Sequence, residues 1–207
     1  MALAFADIAF TPTVQAQQEK NGSGNYRNLL SPERQGGDRL RLAEAAFIEA
    51  RDGFYQASTS ETGWPYVQFR GGAPGFLRVL DEQTITYADV RGNRQYISLG
   101  NLTGNDRVAL ILMDYPNARR LKIWGRVQFL EQDSAEFDSL LEEPLSSKVE
   151  RLVKIHVEAF DWNCPQHIPR RFTEGEAIDR IAALEAENAK LQRRLSQAVR
   201  ETPSKTQ

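Results

Sequence analysis

Apolar positions along the chain follow two different periods, and the change from one to the other outlines the fold. Up to about Leu40 neither period holds. "QQEKNGSGNYRNLLSPERQGGDR" is broken every few positions by Gly, Ser, Asn or Pro, and the segment reads as an extended arm. "DRLRLAEAAFIEAR" then sets Leu40, Ala43, Phe47 and Ala50 at helical spacing with Gly53 behind them as a stop, which predicts one short amphipathic helix. From Phe54 onward β-branched and aromatic runs alternate with turn residues. "FYQASTS", "WPYVQFR", "FLRVL" and "TITYAD" predict four strands in meander order. "RVALILMDY" and "RLKIWGRVQFLE", joined by "PNAR", predict a hairpin whose first strand is apolar enough to be covered on both faces. "RLVKIHVEAF" alternates, with Val153, Ile155, Val157 and Ala159 on one face and Lys154, His156 and Glu158 on the other. About seven strands at this spacing imply a barrel or sandwich, a mainly β fold with flanking helices.

Two helices interrupt the strands: "NRQYISLGNL", and "DSAEFDSLLEE", where Asp133 and Glu136 form a capping-box pattern ahead of Phe137, Leu140 and Leu141. The tail "AIDRIAALEAENAKLQRRLSQAVRE" carries Ile181, Leu184, Asn188, Leu191, Leu195 and Ala198 at alternating steps of three and four. That is an a/d seam with Asn188 at an a position and Arg180 and Glu185 at g and e. A self-paired coil satisfies the pattern, and so does an amphipathic helix folded back on its own barrel. The expected organisation is an extended arm over 1–39, one domain over 40–173, a C-terminal helix over 174–201 and a frayed end over 202–207.

Composition narrows the function classes. Hydrophobic residues make up 41% of the chain, and 26 basic against 28 acidic residues leave a formal charge of −2. No global field recruits nucleic acid or an anionic membrane. One cysteine, Cys164, cannot form an internal disulfide, and a reducing cytoplasm is the expected location. The apolar start "MALAFADIAF" lacks a basic n-region and is broken by Asp7, so export is not expected. No apolar run approaches the roughly 20 residues of a membrane-spanning helix.

The chemistry concentrates in "ADVRGNRQYIS". A strand ending near Asp89, a glycine-containing loop and a helix start turn free backbone N–H groups outward together. Arg91 and Arg94 add cationic forks suited to phosphate oxygens, and Asn93 is placed to cap the helix. On local sequence alone the alternative is a solvated loop whose arginines pair with surface carboxylates. "CPQH" raises a metal or nucleophile at Cys164 and His167, but zinc needs three or four protein ligands and only His156 remains as a further histidine. "RGGAPG" lacks the Lys-Ser/Thr ending of a phosphate loop and reads as a turn between strands. Trp64 and Trp124 read as core or interface fillers. The basic cluster Arg119, Arg120, Lys122 and Arg126 reads as a solvated face.

Taken in order, the segments from Gly63 to Glu131, with "FDWNCPQHIPRRFT" behind them, resemble the pyridoxamine 5′-phosphate oxidase-like FMN-binding split-barrel family, in its predicted flavin-nucleotide-binding branch. The resemblance implies a six-stranded antiparallel split barrel that forms a homodimer, with FMN held between subunits and a small-molecule redox substrate. It places the FMN phosphate at Asn93, Arg94 and Gln95. Gln95 departs from the usual lysine, and Arg91 is an additional cation. Phe76, Leu77 and Arg78 match the strand that cradles the flavin, Tyr87 and Ala88 a pair beside the ribityl chain, and Arg120 a glutamine approaching the flavin from the hairpin. Trp162, Gln166 and His167 stand in the segment that departs most, where the oxidases proper close the site on flavin and substrate. The expected activity is flavin-dependent electron transfer. A non-catalytic flavin-binding or sensing module, and a pocket for haem or a deazaflavin, remain alternatives.

Overall fold

The computed structural model describes residues 3–140, 149–162 and 166–201. Cys164, Leu141 and the segment 202–207 lie outside these, so the readings placed on them are not addressed by the structure.

The segment before Leu40 is helical where an extended arm is predicted: α1 (Leu3–Ala9), α2 (Pro12–Lys20) and a 3₁₀ segment (Gly24–Leu30). The overlooked signal is a helix start. The Thr11 side chain accepts from the Val14 amide at 3.4 Å and Pro12 occupies the first turn, so the breakers from Asn21 to Gly24 only end α2. α1 is held by packing: Ala6 is fully buried, and the Phe5 ring lies 5.1 Å from that of Trp124.

Helix α3 (Leu42–Glu49) forms where the period places it, with its buried face rotated. Phe47 and Ile48 are buried together with Glu44, whereas Ala43 and Ala50 are exposed. A carboxylate is tolerated there because Glu44 accepts from the Arg41 amide (3.0 Å) and from Trp162 Nε1 (2.8 Å).

All seven predicted strands form: β1 (Gly53–Thr59), β2 (Pro65–Gly71), β3 (Leu77–Asp81), β4 (Thr84–Val90), β5 (Arg107–Asp114), β6 (Arg119–Glu131) and β7 (Val149–Trp162). They make one antiparallel sheet in the order β2-β1-β5-β6-β7-β4-β3. The first four strands are therefore two hairpins at opposite ends of the sheet, not a meander. The "RGGAPG" turn is responsible. The Gly72 amide bonds the Asp52 carbonyl and the Gly75 amide bonds the Glu49 carbonyl at the end of α3, which carries the chain away from β2 before β3 begins. The sheet has seven strands where the family resemblance implies six, and hydrogen bonding does not close it. Of β5, Val108, Leu110 and Leu112 are buried while Ala109, Ile111 and Met113 are half-buried.

Side chains draw the two ends of the curled sheet together. Phe54 of β1 stacks on Phe76 at 5.8 Å and sits edge-on to Tyr87 of β4 at 5.3 Å. Tyr87 Oη donates to Gln56 Oε1 at 2.7 Å. Leu77, Ile85, Leu112, Leu121, Ile123 and Ile155 are fully buried around them, each contributing about 1.5–3 kcal/mol by leaving water.

Three helices complete the fold. α4 (Ile97–Gly104) begins four residues after Asn93, so Asn93 does not cap it. α5 (Ala135–Leu140) is capped by Ser134, whose Oγ accepts from the Phe137 amide at 3.2 Å. The predicted capping partner Glu136 is engaged instead by Lys154 Nζ at 2.5 Å. α6 (Glu174–Glu201) starts on a box in which Glu176 accepts from the Thr173 amide (2.8 Å) and Thr173 Oγ1 accepts from the Glu176 amide (3.2 Å). It does not fold its apolar stripe onto the barrel: Ile181, Leu184, Leu191 and Leu195 are 51–67% exposed. Among the described residues no helix is long and apolar enough to cross a membrane.

One backbone position tests the strand register. Gly125 sits at the bulge where β6 slips against β7, and a Cβ there would meet the His156 carbonyl oxygen and the Ile155 side chain. Gly125→Ala is expected to lower unfolding stability by about 1–3 kcal/mol in urea titration; an unchanged midpoint would show that the bulge is not strained by a side chain.

Candidate functional site

Period-two alternation places Tyr66, Gln68 and Arg70 on one face of β2, and the curl of the sheet sets that face opposite the end of β4. Between them and the loop that follows β4 lies a cleft of about 200 Å³, also lined by Asp89, Asn93, Arg94, Gln95, the start of α4 and Glu150.

The loop is tightly specified. Gln95 donates its amide to Asn93 Oδ1 at 3.1 Å, and Arg94 and Tyr96 both adopt left-handed backbone, φ 64° and 53°. Two such residues, neither of them glycine, in one short loop carry strain that only the surroundings sustain. Those surroundings are visible. Ser98 Oγ donates to Gln68 Oε1 at 2.8 Å and Asn101 Nδ2 to Ser58 Oγ at 3.1 Å, fixing α4 on β1 and β2. Tyr96 Oη and Arg91 Nε both donate to Glu150 Oε1, at 3.1 and 3.0 Å. Helix α4 has no side-chain cap, so its first amides, at Ile97, Ser98 and Leu99, have no intrahelical acceptor, and these residues line the cleft.

Charge is arranged around one carboxylate. Asp89, buried at the end of β4, accepts from Arg70 Nη1 at 2.8 Å and from Arg151 Nη1 at 3.1 Å. The Arg70 guanidinium also lies 5.8 Å from the Tyr87 ring centre, and its Nε is buried with no hydrogen-bond partner. Burial pushes the Tyr87 hydroxyl well above its ordinary value, so Tyr87 stays a donor to Gln56. The hydrogen bond from Arg91 holds the Glu150 carboxyl below its usual range, with Tyr96 and Arg151 adding to the effect. Arg94 has no ion-pair or hydrogen-bond partner among the described residues.

Single-chain geometry sorts the predicted site residues into four groups. Asn93, Arg94 and Gln95 line the cleft. Arg91 does not; its pairing with Glu150 is the surface-carboxylate alternative left open by the sequence. Phe76, Leu77 and Tyr87 belong to the core or pack against it, Ala88 packs on the small cluster of Leu130, Phe137 and Leu152, and Arg78 Nη1 donates to the Leu140 carbonyl at 2.6 Å. Arg120 and Trp162 lie at the far end of β7, and Gln166 and His167 follow that end along the chain. From Glu150 to Trp162 the strand runs about 40 Å at about 3.3 Å per residue. There Arg119 lies over the Trp162 ring at 4.7 Å, and Arg120 Nε is buried without a partner. Burial raises the Asp161 carboxyl against the pull of Lys122 and Arg120. A second cavity of about 360 Å³ opens beside Trp162, Asp161, Glu44 and Arg39. Among the described residues no group of three or more His, Cys, Asp or Glu side chains is placed to hold a metal.

Sequence reasoning missed Tyr66, Gln68 and Arg70. The alternation of β2 carried the signal, since three polar side chains on one face of a sheet strand need a reason to share it.

The residues present fit the phosphate end of a flavin mononucleotide. Arg94 without a partner among the described residues and the uncapped start of α4 offer donors to one anion, and the Arg70 guanidinium, paired with Asp89 on the cleft wall, adds positive charge. At about 200 Å³ the cleft lies below the roughly 300–1,000 Å³ of pockets that enclose whole ligands, so it has room for a phosphate and not for a ring system.

Comparison with known proteins agrees with the fold. Residues 42–170 match the family described as pyridoxamine 5′-phosphate oxidase, which is more than half of the 207 residues. The chain belongs to that family. No curated protein matches it. Among solved structures it is similar to a single-residue variant of HupZ from Group A Streptococcus, at 13% identity over 60% of this chain and 99% of that one, with a TM-score of 0.50. It is also similar to an FMN-binding protein from Syntrophomonas wolfei (12% identity, 71% and 97% covered, TM-score 0.42). A third is HutZ, the heme storage protein of Vibrio cholerae (16%, 59% and 94%, TM-score 0.42).

The Arg91–Glu150 pair sets an expected pH and mutational response. Because the folded-state value of Glu150 is lowered, its contribution is present above the ordinary glutamate value of about 4.3 and is lost only as pH falls through the lower folded value. Glu150→Gln removes a negative charge from the cleft and releases Arg91. It is expected to tighten FMN binding by about fivefold in calorimetric titration at neutral pH and low salt; weaker binding by the folded variant would mean that Glu150 orders the loop more than it repels the phosphate.

Proposed function

We propose that this protein binds FMN and passes electrons between the flavin and a small-molecule redox substrate, as a homodimer with its flavin sites between subunits. The observation that carries the reading is Arg94, held in left-handed backbone with no partner among the described residues, beside Arg70, which lines the same cleft while paired with Asp89. In this reading Arg94, Arg70 and the first amides of α4 hold the phosphate. Asn93 and Gln95 keep the loop in shape, and Tyr66 and Gln68 form the wall. Bound FMN supplies the hydride or electron transfer at its ring, so the chain needs only to anchor and orient it. The same geometry supports the dimer. Trp162, with Arg120 beside it, lies about 40 Å along β7 from the cleft, too far to meet the same flavin within one chain, and Gln166 and His167 follow it in the sequence. A two-fold axis offers each subunit's loop to the other's far end.

The second reading is a flavin-binding or sensing module without turnover, favoured by the uncovered seam of α6, a surface free for a partner. Steady-state reduction of the FMN-loaded protein by a panel of nicotinamide, quinone and aldehyde substrates separates the two readings.

The purified protein is expected to show flavin absorbance bands and to release FMN on denaturation, identified by mass spectrometry; a Soret band or a deazaflavin in its place would overturn the assignment. Arg94→Ala is expected to weaken FMN binding roughly 10–100-fold, as loss of a charged hydrogen bond does, against no more than about twofold for Arg107→Ala on the exposed end of β5. Equal losses would place the phosphate elsewhere.

A further inference from the structure

Helix α6 runs for 28 residues, about 42 Å, and its stripe of Ile181, Leu184, Leu191 and Leu195 is more than half exposed along its whole length. A helix of that size draws its stability from packing its apolar face, and among the described residues nothing in the single chain covers this one. We infer that α6 pairs in parallel and in register with α6 of a second copy of this chain, as a two-stranded coiled coil.

Three features select this occupant. The steps from Ile181 through Leu184, Asn188, Leu191 and Leu195 are three, four, three and four, so the stripe keeps the seven-residue repeat that lets two helices supercoil left-handedly. Charge complementarity is satisfied in this direction. In a parallel in-register pair the g position of one helix meets the following e position of the other, which brings Arg180 against Glu185 on both sides of the seam. The next such meeting, Glu187 with Gln192, is free of repulsion. Asn188 settles the register. Parallel pairing sets Asn188 against Asn188 at an a position, where the two amides bond each other; an antiparallel pair centred on the seam sets each against a leucine and leaves a buried amide without a partner. Helix start and seam are separate: the Thr173–Glu176 box fixes the first turn before the repeat begins.

This pairing is consistent with the homodimer of the proposed function but rests on the tail alone, so its test does not depend on flavin. The full-length chain carrying Cys164→Ser is given one new cysteine at a time: Leu184→Cys or Leu191→Cys on the seam, or Ala186→Cys at the outward f position. Each variant is incubated at micromolar concentration with oxidised glutathione and resolved by non-reducing electrophoresis, with unchanged circular dichroism as the check on folding. The pairing predicts cross-linked dimer at Leu184 and at Leu191, forming at least tenfold faster than at Ala186. No dimer at either seam position, or equal rates at all three, would overturn it. Cross-linking in a mixture of Asn188→Cys and Leu191→Cys chains, with neither forming dimer alone, would show an antiparallel pair and likewise overturn it. Flavin content measured on the same samples reports on the barrel separately.

Discussion

Asp89 is the residue on which the rest of the site depends. One buried carboxylate at the end of β4 takes a guanidinium from β2 on one side and another from β7 on the other. β2 and β4 lie in the two terminal hairpins of a sheet that hydrogen bonding leaves open, so Asp89 and the Phe54, Phe76 and Tyr87 rings do by side chains what a closed barrel does by its ladder. Breaking a buried pair of this kind costs about 3–5 kcal/mol because a charge is left without compensation. The same contact brings Arg70 to the wall of the cleft, and without the curl Arg70 and Arg94 would belong to opposite ends of the sheet.

The strands were legible because their signal is local. Alternation in "RLVKIHVEAF" and the turn residues between runs identify each strand from within itself. How the strands pair was not, because the decisive contacts lie outside them: the Gly75 amide on the Glu49 carbonyl and the aromatic contacts across the curl join residues that no short window contains. The N-terminal helices were missed for a related reason. Thr11 and Pro12 announce α2, but the reason α1 holds is Phe5 against Trp124, more than a hundred residues away.

The candidate site divides along the same line. "NRQ" was readable as a phosphate-binding pattern, and the structure brings its three residues to a cleft. That Arg94 and Tyr96 sit in left-handed backbone was not readable, since neither is a glycine and only tertiary contacts sustain the strain. Arg91 looked equivalent to Arg94 by type and spacing, yet Glu150, 59 residues further on, claims it. Arg70 looked like the end of a strand, and the structure puts it on the wall of the same cleft as Arg94.

Membership of the pyridoxamine 5′-phosphate oxidase family gives the fold and leaves ligand and partner to be argued from the residues. Arg94 without a partner among the described residues, the Arg70 guanidinium on the cleft wall and an uncapped helix start favour a phosphate, while the distance from cleft to Trp162 favours a site completed by a second subunit. The most direct measurement is a crystal structure of the full chain grown with FMN. The account predicts the flavin phosphate within hydrogen-bond distance of the Arg94 and Arg70 guanidinium groups and the flavin ring against the partner's strand end. A phosphate bound away from this loop, or a ring enclosed within one subunit, would contradict it.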